Sequence, residues 1–337
     1  MRRLALLPLL AALGGCEGIQ AIGPRNGAEA AAISDLFTVF LIVTLLFYAA
    51  VIAFLVAAYW RRRGERQDGL PDPDGTNRDK PLNTALLVWI GAVIIGLTGL
   101  TLASYLTDRA IARSVPPGEP VLSVEIVANQ WWWDIHYHFP DPSKNIRTAN
   151  ELHLPVGVPA MIYLKSNDVI HSFWVPNLAG KQDLIPGKLT DLALVPRKPG
   201  RYRGQCAEYC GIQHAHMALD VTVESKEDFA LWLATQQRPA PAPANPLQQA
   251  GFDYVTTREC SSCHAIAGTP ASGQVGPDLT HLLSRRSLGA GTYPMTRGHL
   301  YAWIADPQSA KPGNNMPVVG LDADQLHAVV AYLETLR

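Results

Sequence analysis

The chain has 337 residues, 17% charged and 48% hydrophobic, which is too long for one ordinary soluble domain and apolar enough to suggest a membrane contribution. Its formal net charge of -1 excludes the broad basic field that holds nucleic acid.

The N-terminus reads MRRLALLPLLAALGGC. Two arginines precede a short apolar run from Leu4 to Leu13, a secretory signal pattern too short to cross a bilayer. Residues 1–15 are expected to form the signal peptide. LGGC resembles the cleavage box of bacterial lipoproteins, which implies a mature chain beginning at a lipidated Cys16; the alternative is an ordinary signal with a chance cysteine.

Residues 16–118 are expected to contain an N-terminal segment and a transmembrane hairpin. Residues 36–59 carry no charge and reach about 36 Å as a helix. Residues 84–106 are also uncharged and reach about 34 Å. Arg61, Arg62, Arg63 and Arg66 follow the first run directly. Positive charge marks the cytoplasmic side, so both chain ends are expected outside, in agreement with the signal peptide.

Residues 119–235 change character. VLSVEIVANQWWWDIHYHF, ELHLPVGVPAMIYLKSN and DLALVPRKPGRYRGQC are rich in β-forming residues with Pro and Gly breaks, so they predict a β-sandwich or barrel. A closing helix is expected over residues 227–237. Residues 236–246 include RPAPAPANP, a semi-rigid extended linker. Residues 247–337 are helical in pattern. Asp322 and Gln325 predict a capped start to a last helix, with Leu326, Val329, Val330, Leu333 and Leu336 on one face.

CSSCH, from Cys260 to His264, has the C-x-x-C-H spacing of c-type haem attachment. The two thiols bond the porphyrin vinyl groups and His264 places an imidazole on the iron. A sixth ligand must come from elsewhere, with Met316 and Met295 as candidates. Met/His ligation raises the potential and suits electron transfer. Met316 is preferred because its loop, KPGNNMPVV, resembles the distal loop of small class I cytochromes c.

CAEYCGIQHAHM places Cys206, Cys210, His214 and Met217 within twelve residues. Thiolates, imidazole and thioether form a soft donor set suited to copper or zinc. Structural zinc favours C-x-x-C pairs without a thioether, and a disulfide leaves His214 and Met217 unexplained. Four donors cannot complete two metals, so a further histidine is required.

The same segment matches the C-x-E-x-C-G-x-x-H-x-x-M signature of cytochrome c oxidase subunit II. DVIHSFWVP resembles that family's other ligand loop and supplies His171, and NQWWWDIHY resembles its aromatic segment. The likeness runs from the hairpin to about Glu224. The tail resembles family members with a fused cytochrome. The fold implied is multi-domain: a two-helix transmembrane hairpin, a cupredoxin-like β-sandwich or barrel and an all-α class I cytochrome c domain.

The resemblance implies a dinuclear copper centre bridged by Cys206 and Cys210, with His171 and His214 each on one copper. Met217 and the Glu208 carbonyl are weak outer ligands, and the Glu208 carboxylate binds a magnesium or manganese ion shared with subunit I. Trp131 matches the electron-entry aromatic, while Trp132 and Trp133 are equally well read as core packing. Asp168 matches an acidic residue near the donor-docking face. His136, His138, His153 and His216 are read as structural or solvated. Asn83 stands where many family members carry a glutamate at the start of the second span, which puts a proton-entry role in doubt.

The function implied is electron input to a proton-pumping terminal oxidase of the bacterial inner membrane. A soluble or membrane-bound donor, such as a cytochrome c, reduces the covalent haem; electrons pass to the copper pair and on to subunit I, where dioxygen becomes water, with subunit III as a further partner. No dioxygen-reducing site is expected in this chain. The net charges of the two soluble segments, -3 over residues 119–235 and -1 over 247–337, are too weak to dominate docking, which a tether makes unnecessary. The rival readings are a quinol oxidase subunit, which would lose the copper ligands, a lipoprotein electron carrier without an oxidase partner, and a nitrous oxide reductase, which would need a second copper domain.

Overall fold

The computed structural model describes residues 18–65, 76–115 and 121–337. The signal peptide and Cys16 lie outside the described residues. The chain divides into two compact units, one of residues 31–113 and the other of residues 1–30 with 114–337.

The first unit is a pair of long helices, α1 (Ala28–Glu65) and α2 (Thr76–Ile111). Both extend beyond the uncharged runs, because once a helix is nucleated each further residue adds a backbone bond at little cost. Their most apolar windows have no buried residue. Phe37, Leu46, Leu87 and Ile95 are among the large side chains left exposed. A soluble core helix would hide such residues; here the surrounding medium must be apolar. Phe47 meets Trp89 edge-on at 5.2 Å between ring centroids. Gly96 permits this packing, since a Cβ there would come within 3.2 Å of the Phe47 ring.

The second unit begins its sandwich with β1 (Leu122–Asn129), β2 (Trp132–His138), β3 (Ile146–Ala149), β4 (Glu151–Pro155) and β5 (Ala160–Ser166). It continues through β6 (His171–Phe173), β7 (Gln182–Leu184), β8 (Thr190–Leu194), β9 (Gly200–Gln205) and β10 (Ala218–Glu224). One sheet runs β3-β2-β1-β5-β8 and the other β4-β10-β9, while β6 and β7 pair separately. The β1–β5 and β4–β10 pairs are parallel; every other pairing among these strands is antiparallel. Strand period two decides which side chains face inward. On β1 these are Leu122, Val124, Ile126 and Ala128, with Ile126 opposite Ile135 and Leu164. The sandwich closes with α3 (Lys226–Gln236), N-capped by Ser225, whose Phe229 and Trp232 pack on Tyr137.

A helical module follows. It contains α4 (Pro246–Thr257), α5 (Glu259–Cys263), α6 (Arg297–Ala305), α7 (Pro307–Ala310) and α8 (Ala323–Leu333), with a two-strand pair of β11 (Ser287–Leu288) and β12 (Tyr293–Pro294). Asp322 and Gln325 form a reciprocal capping box at the start of α8. Val329, Val330, Leu333 and Leu336 are buried, and Leu326 packs at the edge of the same core. Phe252 on α4 meets Tyr332 on α8 edge-on at 5.3 Å.

Candidate metal centres

The first centre forms where β9 ends, β6 begins and the loop 206–217 folds back. The Cys206 N–H donates to the Met217 carbonyl at 3.0 Å and closes that loop. Gly211 has φ +112° inside it, and a Cβ there would lie 2.9 Å from the Trp131 ring. Only glycine accommodates both demands. The loop therefore presents its donors at fixed separations.

The Cys206 and Cys210 sulfurs lie 3.7 Å apart, well beyond the roughly 2.05 Å of a disulfide bond. His171 Nδ1 stands 3.8 Å from Cys206 Sγ, and His214 Nδ1 stands 3.6 Å from Cys210 Sγ. Met217 Sδ is 3.9 Å from Cys210 Sγ, and the Glu208 carbonyl is 3.2 Å from Cys206 Sγ. Cys206, Cys210, His171 and Met217 are all buried. The Glu208 carboxylate turns away and accepts from the Tyr209 N–H at 3.0 Å.

This set fits a soft metal pair: two thiolates at the centre, one imidazole beside each, and weaker donors outside. Asp168 accepts a hydrogen bond from His171 Nε2 at 2.7 Å, which leaves Nδ1 turned towards the sulfurs. Burial alone would raise the Asp168 pKa, but the His171 hydrogen bond and the Val169 and Gln130 N–H groups hold it down. The Cys210 thiol hydrogen-bonds to Cys206 and holds it far below the usual thiol range, against the cost of burial. The same bond and the Cys206 charge push Cys210 up. A metal takes both sulfurs as thiolates, so binding there releases protons.

The second centre is a cavity of about 220 Å³ lined by Cys260, Cys263, His264 and Met316 of the helical module among others, with Trp131 and Trp132 of the sandwich on its wall. The two cysteines are free and half-buried. His264 Nδ1 donates to the Pro277 carbonyl at 2.7 Å, leaving Nε2 available as a ligand. Burial pushes its pKa down, so the ring is neutral and able to bind a metal. Gly276 lies against it; a Cβ there would come within 2.8 Å of His264 Cε1. Met316 is fixed by its N–H to Asn314 Oδ1 and by Gln308 to its carbonyl, both at 2.8 Å. Met295 packs on the helical core instead. Arg285 also lines the cavity; its Nε pairs with the Glu151 carboxylate at 3.7 Å and its Nη2 donates to the Asp278 carbonyl. A flat apolar cofactor with acidic edges fits this mixture of apolar wall, paired thiols and buried cation.

Residues 122–225 match the family model described as cytochrome c oxidase subunit II, periplasmic domain, and residues 248–337 match cytochrome c. The chain is 30% identical over 335 residues to cytochrome c oxidase subunit 2 of Alkalihalophilus pseudofirmus, covering 96% of this chain and 94% of that one. The chain belongs to the cytochrome c oxidase subunit II family. Subunit 2 of Bacillus subtilis is 26% identical, with 99% and 96% covered. Quinol oxidase subunit 2 of Bacillus cereus is 30% identical over 241 residues, 70% of this chain and 80% of that one.

Three features of this subunit II chain were not assigned from sequence. Asp168 orients His171. Trp131 donates its indole N–H to the Cys210 carbonyl at 2.8 Å and also lines the cavity that holds Cys260 and Cys263. Gln130 donates to the same carbonyl at 2.7 Å. The signal for Asp168 was its place three residues before His171. For the Trp131 placement no local signal exists, because the Cys210 carbonyl is 79 residues away in the chain and the cavity's cysteines lie in another module.

Proposed function

We propose that the chain is the electron-input subunit of a haem-copper oxidase. Electrons from a donor such as a cytochrome c enter at the cytochrome module and leave through the copper domain to subunit I, where dioxygen is reduced to water with proton pumping. When bound, one covalent haem c and a copper pair supply the redox couples. Cys260 and Cys263 would anchor the haem, with His264 and Met316 as its iron ligands. Cys206, Cys210, His171 and His214 would hold the copper pair, with Met217 and the Glu208 carbonyl as weaker donors. The Glu208 carboxylate shares a magnesium or manganese ion with subunit I, and subunit III completes the assembly. A lipid on Cys16 and the two spans hold both soluble modules on the outer face of the cell membrane.

The observation that carries this reading is the placement of Trp131. Its ring walls the haem cavity while its N–H holds the Cys210 carbonyl, so one side chain touches both centres. Through-contact coupling of this kind shortens the route between two redox groups and needs no rearrangement. Retention of all the copper donors favours a cytochrome c oxidase over a quinol oxidase.

Purification in mild detergent tests the assignment. A large haem-containing subunit should accompany the chain. If the chain consistently separates alone from membranes that retain oxidase activity, the lone-carrier reading takes its place.

A further inference from the structure

A buried lysine stands where the two soluble modules meet. Lys311, on the loop between α7 and Met316, is only 2% exposed. Lysine is almost never buried so fully unless its charge is matched by donors' partners. Its Nζ donates to three backbone carbonyls: Trp131 at 2.7 Å, His216 at 2.7 Å and Gly289 at 2.6 Å. In its ammonium form all three N–H donors are used, although burial pushes the pKa down to about 7. Two acceptors belong to the copper domain and one to the cytochrome module.

Arg147, on β3, makes the reciprocal crossing. Its Nε and Nη2 hold Asp134 at 2.8 Å each, and Nη2 also donates to the carbonyls of Gln274 and Gly276 at 3.0 and 3.2 Å. Gly276 is the residue pressed against the His264 ring. Lys311 therefore ties the Met316 loop to the copper domain, and Arg147 ties the His264 side. Between them, Gln213 donates to the Pro312 carbonyl at 2.9 Å and the Ala218 N–H donates to the Ala290 carbonyl at 2.9 Å. Gly313 fits because it lacks a Cβ, which would come within 2.9 Å of Ile212.

We propose that Lys311 is a positioning residue which, with Arg147 opposite, locks the cytochrome module onto the copper domain in one electron-transfer geometry. The proposal rests on the electron-input reading above. Modules joined by a linker normally move relative to one another. An amine head buried against carbonyls of both modules opposes that motion, since separation breaks its hydrogen bonds and misalignment leaves carbonyls unpaired. The linker alone would give only a high encounter frequency; the clamp gives a fixed distance. Lys311 acts through the carbonyls it holds, that of Trp131 among them, and its side chain also forms part of the cavity wall.

The test uses the intact, detergent-purified oxidase. Haem-to-copper transfer is followed after photoreduction at several solvent viscosities, and amide hydrogen exchange is followed at Ala218. In the wild type the rate should be independent of viscosity and the Ala218 N–H protected. In K311M transfer should become viscosity-dependent and at least about tenfold slower, as expected for a lost alignment, with faster exchange at Ala218 and full retention of covalent haem and of copper. K311R, which keeps a charged multi-donor head, should recover part of the wild-type rate. If K311M does not mature, R147K serves: it keeps a charge for Asp134 but cannot span both loop carbonyls, and should shift both readouts in the same direction. Wild-type kinetics and exchange in these variants overturn the clamp. A wild-type protein without a covalent haem or a copper spectrum overturns instead the reading on which it rests.

Discussion

The copper and haem centres are built by opposite means. At the first, the protein's own donors already touch, with sulfur and nitrogen contacts of 3.6 to 3.9 Å held by a closed loop between strands. At the second, the protein supplies a cavity and brings ligands only to its walls. The difference follows from what is bound. Small ions need a precise donor set, and a β-sandwich holds short loops rigidly. A macrocycle needs volume, and short helices joined by loops can be moulded around it. The copper site therefore depends on its scaffold, and the haem site on the residues proposed to anchor and ligate the haem.

The largest break in this comparison should come from the axial ligand. Met316→Ala should abolish low-spin Met/His character in the haem spectrum and leave the copper spectrum intact, whereas Met295→Ala, which trims only the helical core, should preserve both. Optical spectra of the two variants decide the matter. Loss of low-spin character in the second alone would exchange their roles.

The copper scaffold should show its own pH dependence through His153. Burial opposes its charge, but hydrogen bonds to Glu151 and Glu224, and their charges, raise its pKa to about 9. His153 Nδ1 lies 2.9 Å from Glu224, and its ring stacks on Trp232 at 4.2 Å. A raised histidine pKa stabilises the folded form below the unfolded value of about 6.5, and this contribution fades as pH rises through about 9. The contribution is at most about 3 kcal/mol. Melting temperatures should fall across that window in the wild type and remain flatter in His153→Gln. An NMR titration midpoint near 6.5 for His153 would remove the basis of the effect.

A smaller and more local change is expected at Asp168. Asp168→Asn keeps the shape but weakens the acceptor for His171 Nε2. Loss of such an outer partner costs about 10- to 100-fold in metal affinity. Copper competition titrations should show that loss with the haem unaffected. Unaltered copper affinity would mean that the sandwich alone orients His171.

Much of this was readable before any coordinates. Residue type and spacing marked the uncharged helical runs, the CSSCH motif and the capping box at Asp322. The twelve-residue loop gave four soft donors by itself. His171, 35 residues before Cys206, came only through the likeness of DVIHSFWVP to a known ligand loop, since strand pairing rather than spacing brings it close. The contacts that were hidden cross between modules. Lys311 reaches Trp131 over 180 residues and Arg147 reaches Gly276 over 129. Each module's periodic pattern specifies its own core, and neither pattern encodes where the other will rest. A lysine beside PGNNM looks like an ordinary solvated charge until the opposing carbonyls are in place.

The most direct test of the central claim is metal and haem quantification on the mature chain, with Cys206→Ser measured alongside. The account predicts two coppers and one covalent haem per wild-type chain, and loss of copper with full retention of haem in the variant. A Cys206–Cys210 disulfide, a single zinc in place of the copper pair, or joint loss of copper and haem in the variant would contradict it.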